Sequence, residues 1–416
     1  MATTRAPECW LRGNAEQSHA RRDWIPIGGL LLGAGWGSNQ FTPMLLVYHA
    51  RLGLSTATLE ALFGAYAAGL IPGLLLGGRW SDTHGRRQVG VLAAVLSLLS
   101  SVSLIAGGHA VSLLFVGRLL AGVGSGGAFG AGTVWLREWL AQTRGATAAA
   151  TGRSAAIAMT TGFALGPLVA GALAQWGPAP TTLPYIPHVA LMLVVLVGVA
   201  SASETLPRSR DAGAVERMPR ASLRRFYRVA VPVAIWVFVA PAVAFALLPS
   251  VVGVAHEADG VALTAAITSL TALAGVLIQP VARRLEAGVR RSTGALLGLL
   301  MLAGGLALGA LAAGSRETWL LFPTAAVLGS AYGLCLVAGL LEVQRIAPAR
   351  SLGALTSLFY VAAYLGFAAP YALALASSLA SYAVLLLITA GLGALTAVAV
   401  WGTEQHEKRS NPAVQS

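Results

Sequence analysis

The chain alternates between long apolar runs and short breaks that hold nearly all of its charge. Crossing a hydrocarbon core of about 30 Å takes about 20 helical residues. Runs of that order recur at about 25–48, 58–78, 88–108, 111–136, 148–174, 183–203, 228–250, 262–282, 292–313, 318–341, 352–376 and 379–401. They predict twelve membrane helices, numbered here as spans 1 to 12. Barrel strands are shorter and alternate, so the runs read as helices. Between about 205 and 228 the apolar pattern stops for a stretch with seven arginines, Asp211, Glu216, Pro207 and Pro219. The expected organisation is a tail (1–22), a six-helix half (23–204), a linker (205–228), a second six-helix half (229–402) and a tail (403–416). The halves echo each other, with Gly122 and Glu138 in one and Gly329 and Glu342 in the other. Paired six-helix halves around a midplane cavity are a transporter architecture.

Composition supports the membrane reading. Of the 416 residues 56% are hydrophobic and 11% charged, with a mean hydropathy of +0.71. A soluble domain carries about 25% charged residues, so the predicted solvent is a lipid bilayer. The net charge of +12 invites a nucleic-acid reading, but the arginines sit in breaks between apolar runs, so no nucleic-acid partner is expected. With both tails cytoplasmic, all but Arg51, Arg118 and Arg316 of the 28 basic residues fall on the cytoplasmic side. The positive-inside rule then orients a multi-pass protein of the inner (plasma) membrane. Cys9 and Cys335 lie far apart and suggest neither a disulfide framework nor a metal site. Residues 1–22 lack the apolar core of a signal peptide.

Several stretches carry polar groups where lipid-facing helices have none. Gly78-Arg79-Trp80-Ser81-Asp82-Thr83-His84-Gly85-Arg86-Arg87 packs an acid, a turn glycine and two arginines between spans 2 and 3. Gly78 is expected to let span 2 end against a neighbour, and Gly85 to supply the turn. Asp82 can bridge Arg86 and Arg87 as a latch, or the hairpin only sets topology. Arg118 lies about 10 Å into span 4. Such a charge needs a partner or a wet cavity, unless it snorkels to the headgroups. Asn39, Gln40 and Pro43 interrupt span 1. Buried amides need partners, so these face another helix or a central cavity, and the cavity is the preferred reading. Gly122, Gly126 and Gly130 form a stripe of small residues on span 4, and Gly162, Gly166 and Ala170 another on span 5. Close helix packing accounts for such stripes, and Pro167 adds a kink.

These stretches resemble the major facilitator superfamily. Gly78-x-x-x-Asp82-x-x-Gly85-Arg86-Arg87 is similar to its signature loop, and Arg118-x-x-x-Gly122-x-Gly124 to its helix 4 motif, with Ala121 where many members have Gln. Gly162-x-x-x-Gly166-Pro167-x-x-Ala170-Gly171 looks like the motif of its antiporters, with Ala170 replacing one glycine. Glu204-Thr205-Leu206-Pro207 at the end of span 6 is also family-like. In the second half the counterpart loop, Gly275 to Arg284, has Gln279-Pro280 and no equivalent acid, so the expected latch is one-sided.

The resemblance implies an all-α membrane protein of twelve helices that works by alternating access. The Asp82 loop would be a gate element, with Glu138 as partner of Arg86 or else as a solvated helix-end acid. It further implies a coupling or substrate role for Arg118. Trp236 on span 7, Tyr332 on span 10, and Tyr360 and Tyr364 on span 11 lie on helices that flank the cavity in this family, or serve packing. Proton coupling needs a titratable acid; Glu60 near the outer end of span 2 and Glu342 near the inner end of span 10 are the candidates, or else both are interfacial acids. The expected function is proton-coupled efflux of a small, fairly apolar compound or drug by a monomer. The energy source is a proton gradient, without catalytic residues, cofactor or metal. A proton-coupled importer or facilitator of a small organic nutrient is the alternative. No phosphate-binding loop with Gly-Lys-Ser/Thr is present for an ATP-driven pump. A membrane enzyme lacks a nucleophile–base or metal cluster, and a sensor lacks room for a signalling domain.

Overall fold

The computed structural model describes residues 24–205, 219–287, 292–348 and 351–410. The expected N-terminal tail, most of the linker and the last six residues lie outside them. Eleven helices among the described residues are long and apolar enough to cross a membrane. Span 1 is instead two shorter helices, Trp24–Asn39 and Met44–Leu52, together labelled α1. The break comes from Pro43, which has no N–H to return to Asn39. Residues 42, 44 and 45 close tighter bonds, Thr42 N to Asn39 O and Met44 N to Phe41 O among them.

The remaining elements follow the predicted order. They are α2 (Thr56–His84), α3 (Arg86–Ala106), α4 (Val111–Thr143), α5 (Ala148–Trp176) and α6 (Ile186–Ser201) in the first half. The second half holds α7 (Ser222–Val252), α8 (Gly260–Glu286), α9 (Thr293–Ser315), α10 (Leu321–Ile346), α11 (Leu352–Ala376) and α12 (Tyr382–Ser410). Helix ends outrun the apolar runs where polar residues continue the helix. Thus α2 reaches His84, α7 starts before residue 228, and α12 extends to Ser410. The turn between α2 and α3 is the single residue Gly85. Helix α5 runs through Pro167 without interruption.

Two seams of small residues build the first half. A Cβ on Gly126 would lie 2.6 Å from the Leu70 carbonyl oxygen of α2, and one on Gly166 2.7 Å from the Trp36 carbonyl oxygen of α1. At that approach no side chain fits. Gly122 and Gly162 repeat the contact one turn away, whereas Gly130 lies looser, at 3.5 Å. Gly78 meets nothing within 4 Å; its neighbour Gly77 takes the close contact, 2.9 Å from the Gly127 Cα, because α2 continues past both. The outside of the bundle is apolar, with Val194, Val197, Leu277 and Leu379 more than two-thirds exposed, as a lipid-facing surface requires.

The halves meet along α5 and α8. Gln175 Oε1 accepts from Val261 N at 3.1 Å, its Nε2 donates to Ala258 O at 2.8 Å, and Ser269 Oγ donates to Ala164 O at 2.8 Å. Gly171 packs on Ala265 in the same seam. Further along α5 towards Asp82's end of the bundle, Ile157 and Arg153 are exposed on the same face, and on α8 so is Leu273. The two halves are therefore closed together at the end opposite Asp82 and splay toward Asp82's end.

Candidate functional site

Arg86 is the hub of the charged end. Its side chain is almost fully buried, although it begins a helix at the rim. Nη1 donates to Asp82 Oδ1 at 2.6 Å and to Ser81 Oγ at 2.8 Å. Nε and Nη2 donate to the two oxygens of Glu138 at 3.3 and 3.2 Å, and Glu138 Oε2 also accepts from Thr205 Oγ1 at 2.7 Å. Glu204 accepts the backbone N–H groups of Arg86 and Arg87, both at 2.9 Å. A carboxylate there satisfies otherwise orphan donors and complements the helix dipole. Gly85 has φ +108°, and a Cβ on it would run into that carboxylate. The Arg87 side chain is exposed. Four helix ends, of α2, α3, α4 and α6, are thereby tied into one charged knot.

The second half has a knot of its own, which corrects the expectation of a one-sided latch. Glu286, two residues beyond the stretch compared above, is buried at the end of α8. It accepts from Arg345 Nη1 at 2.8 Å and caps α9 through Gly294 N at 3.0 Å. Arg225 at the start of α7 pairs with Glu342 of α10, with Glu404 of α12 at 4.0 Å. The buried member at the junction differs in sign: in the first half it is Arg86, the first residue of α3, and in the second it is Glu286, the last residue of α8. Glu342 thus belongs to an ion-pair cluster.

Inside the first half, the amides at the break of α1 bond to neighbouring helices. Asn39 Nδ2 donates to Phe163 O of α5 at 3.4 Å, and Gln40 Nε2 to Ser101 Oγ of α3 at 3.0 Å. Gln40 is fully buried, which corrects its expected cavity position: its Nε2 is spent on Ser101 inside the half, and its Oε1 has no partner among the described residues. Ser101 continues to His188 Nδ1 at 2.8 Å, and His188 Nε2 lies 3.0 Å from Gly33 O. A carbonyl only accepts, so Nε2 carries the hydrogen and Nδ1 accepts from Ser101. Nothing in the spacing of the histidines pointed to this buried chain.

Arg118 is buried to 1% exposure. Its nitrogens donate to the carbonyls of Leu62, Ser38 and Phe63, each at 3.3 Å. Its guanidinium carbon lies 4.6 Å from the Phe41 ring centre and 4.8 Å from that of Tyr66. Carbonyl dipoles and ring faces stand in for a counter-ion. Tyr66 in turn shares a 2.6 Å hydrogen bond with Ser38. Snorkelling to the headgroups is ruled out by this burial.

From Tyr66 and Phe63 an aromatic cluster crosses into the second half. Phe63 lies 5.3 Å from Phe367 of α11 and 5.9 Å from Phe245 of α7. Phe238 of α7 is its centre, stacked on Tyr364 at 4.7 Å and on Phe367 at 4.9 Å, with Tyr332 at 5.6 Å. Tyr360 stacks on Tyr364 at 5.8 Å. Three of the four aromatic residues singled out in the sequence are brought together here. Trp236 is not: its indole N–H donates to Thr396 Oγ1 of α12 at 3.0 Å. Phe238 carries no sequence signal, being one phenylalanine in an apolar run. Glu60 is buried to 1%, and neither carboxyl oxygen has a partner among the described residues. No group of three His, Cys, Asp or Glu residues spaced to hold a metal occurs among the described residues.

Comparison with known proteins places this geometry. The sequence model of the Major Facilitator Superfamily matches residues 27–370. Multidrug resistance protein MdtL of Klebsiella pneumoniae (strain 342) is 37% identical over 93 residues, 22% of this chain and 24% of that protein. MdtL of Salmonella typhi is 34% identical over 95 residues, 23% of this chain and 24% of that protein. The match therefore spans about a quarter of the length of these relatives. Among solved structures, the peptide transporter POT in complex with sulfate superposes with a TM-score of 0.75 at 14% identity, covering 93% of this chain and 95% of that one. A POT family transporter in complex with 5-aminolevulinic acid gives a TM-score of 0.74 at 11% identity, with 95% and 97% covered. At these identities the likeness is one of fold.

Proposed function

The chain belongs to the major facilitator superfamily and is a multi-pass membrane transporter rather than an enzyme, and we propose that it exports a small, fairly apolar, aromatic compound in exchange for protons. The observation that carries this reading is the aromatic cluster centred on Phe238, which spans both halves at the point where they part. Ring faces recognise flat apolar or weakly cationic molecules. The partial likeness to multidrug resistance proteins and the small-residue seam of α5, with Gly171 packed on α8, support export over import.

In this reading both tails are cytoplasmic and the arginine-rich end faces the cytosol. The arrangement described above is then inward-open: closed outside through Gln175 and Ser269, splayed inside. The halves rock about the aromatic seam as rigid bodies, each kept rigid by its own charged knot. The Asp82–Arg86–Glu138 knot gates the cytosolic rim. The boundaries at about 205 and 228 mark the linker, and the working unit is the monomer.

The test is transport by purified protein in inverted vesicles with an imposed pH gradient and a panel of aromatic drugs and metabolites. Proton efflux from the lumen triggered by a compound is the expected result. Uptake restricted to right-side-out vesicles would replace export with import, and no flux of any compound would remove the transport reading of this site.

A further inference from the structure

Glu60 stands on the face of α2 that meets the other half. Residues 60, 63, 64 and 67 share that face by helical spacing. Phe63 touches Phe245 of α7 and Phe367 of α11, and a Cβ on Gly64 would lie 3.6 Å from the Phe367 carbonyl oxygen. One turn further from the charged end comes Glu60, buried to 1% with both oxygens unpartnered among the described residues. This is the end at which the halves are closed. Glu60 therefore lies on the face of α2 that closure brings against the other half.

The surroundings offer no compensating charge. Arg118 of α4 bonds to carbonyls and lies against Phe41 and Tyr66. Helix α1 brings Tyr48, bonded to Tyr185, and the exposed His49 and Arg51. Helix α11 brings Tyr360, Tyr364 and Tyr371; α7 has no charged residue between 229 and 252, and α3 none between 88 and 106. A lone ionised carboxylate in such a place is strongly disfavoured, whereas a neutral carboxylic acid is tolerated.

We infer that Glu60 is a proton-binding site whose protonation from the outer solution permits the outer side to close, resting on the rocking exchange proposed above. The step is a plain proton transfer: water outside gives one proton to the Glu60 carboxylate while the seam is open, and the neutral acid is then buried by closure. On reopening, the acid meets the outer water again and returns its proton there, so Glu60 gates closure by the outer pH and is not the group that carries the exchanged proton across. Outer closure is thereby linked to the outer pH. Because ionised Glu60 resists burial, the closed form is favoured at low pH and lost as pH rises through the range where the exposed carboxyl titrates.

The test reads conformation without substrate or gradient. The full chain carries Cys9→Ser and Cys335→Ala, with spin labels at Ala179→Cys between α5 and α6 and at Glu317→Cys between α9 and α10, both exposed. In nanodiscs, the ratio of short to long label distances is expected to fall by about tenfold per pH unit above that titration. Glu60→Gln is expected to stay closed at every pH, and Glu60→Asp to keep the response. An unchanged response in Glu60→Gln, or none in the wild type, overturns the inference. Infrared spectra of unlabelled wild-type protein recorded from about pH 7 down to about pH 5 give a second reading that needs no variant: a buried protonated-carboxyl C=O band that grows as the pH falls is expected, and a band that is absent throughout or does not change with pH overturns the inference. Failure of drug–proton exchange in vesicles removes the efflux reading and leaves both of these results standing.

Discussion

Arg86 and Glu138 face each other through two parallel hydrogen bonds of 3.3 and 3.2 Å, and Arg86 has almost no contact with solvent. Removing one partner of a buried pair costs about 3–5 kcal/mol, mostly for the charge left behind. Glu138 is about one-fifth exposed and Asp82 still holds Nη1, so a cost nearer to 2 kcal/mol is expected here. Glu138→Arg should cut transport at least tenfold, and adding Arg86→Glu should restore part of it. Initial rates in vesicles decide the matter; a double variant no better than the single removes the pair as a gate element.

Gly85 and Glu204 make a second testable pair. Alanine at φ +108° is strained by about 1–3 kcal/mol, and its Cβ also strikes the Glu204 carboxylate. Gly85→Ala should therefore lower the unfolding temperature in detergent. In a Glu204→Ala background the same change should cost less, since only the backbone strain remains. Equal costs in the two backgrounds would show that the cap does not press on the turn.

The helix seams predict a contrast between two glycines of equal standing in the sequence motifs. Gly162→Val pushes side-chain carbons into the α1 backbone at Trp36, whose nitrogen would lie 2.8 Å from the new Cβ. Overpacking of this kind costs about 1–3 kcal/mol or more when backbone cannot move. Gly78→Ala enters open space on a helix and should be neutral or slightly stabilising, since glycine is the poorer helix former by about 1 kcal/mol. Thermal unfolding of the two variants separates them, and a destabilised Gly78→Ala protein would contradict the packing described here.

How far the fold could be read from the sequence follows from what lipid demands. A membrane helix satisfies its backbone internally, so run length alone marks it, and α2 to α12 lie where the runs predicted. Helix ends were less legible, because Asp82 and Thr83 continue α2 as readily as apolar residues do. The break in α1 was visible at Pro43, but the direction of Gln40 was not, since an amide has partners in a neighbouring helix as readily as in a cavity. Arg86 with Asp82 and Glu138 was legible because the charges stand out against an apolar background. Glu286 was missed because its sequence offset differs from that of Asp82, although it occupies the matching helix end. Phe238 was invisible, since a phenylalanine in an apolar run carries no mark of what it stacks on.

Phe238 therefore provides a direct test of the aromatic seam. It stacks on Tyr364 and Phe367, and aromatic pairs contribute about 0.5–1.5 kcal/mol beyond burial. Phe238→Ala should weaken binding of a flat aromatic compound by roughly tenfold or more, the equivalent of about 1.4 kcal/mol, while Trp236→Phe, changed at a contact with α12, should not. Binding titrations on detergent-solubilised protein compare the two. Equal effects would move the substrate away from the seam.

Arg118 gives the last prediction, because its partners distinguish shape from charge. Three carbonyls receive three different guanidinium nitrogens at 3.3 Å, and the flat cation lies against the rings of Phe41 and Tyr66. A lysine keeps the charge but has one nitrogen, no plane and a tighter hydration shell, so it cannot reach Leu62, Phe63 and Ser38 together. If Arg118 organises the junction of α1, α2 and α4, Arg118→Lys should lose most transport and some stability, close to Arg118→Ala. If only a positive charge at this depth is needed, Arg118→Lys should retain activity while Arg118→Ala does not. The geometry requires the first outcome. Transport rates and unfolding temperatures of the two variants, measured side by side, decide it, and a fully active Arg118→Lys protein would reduce the carbonyl and ring contacts to packing.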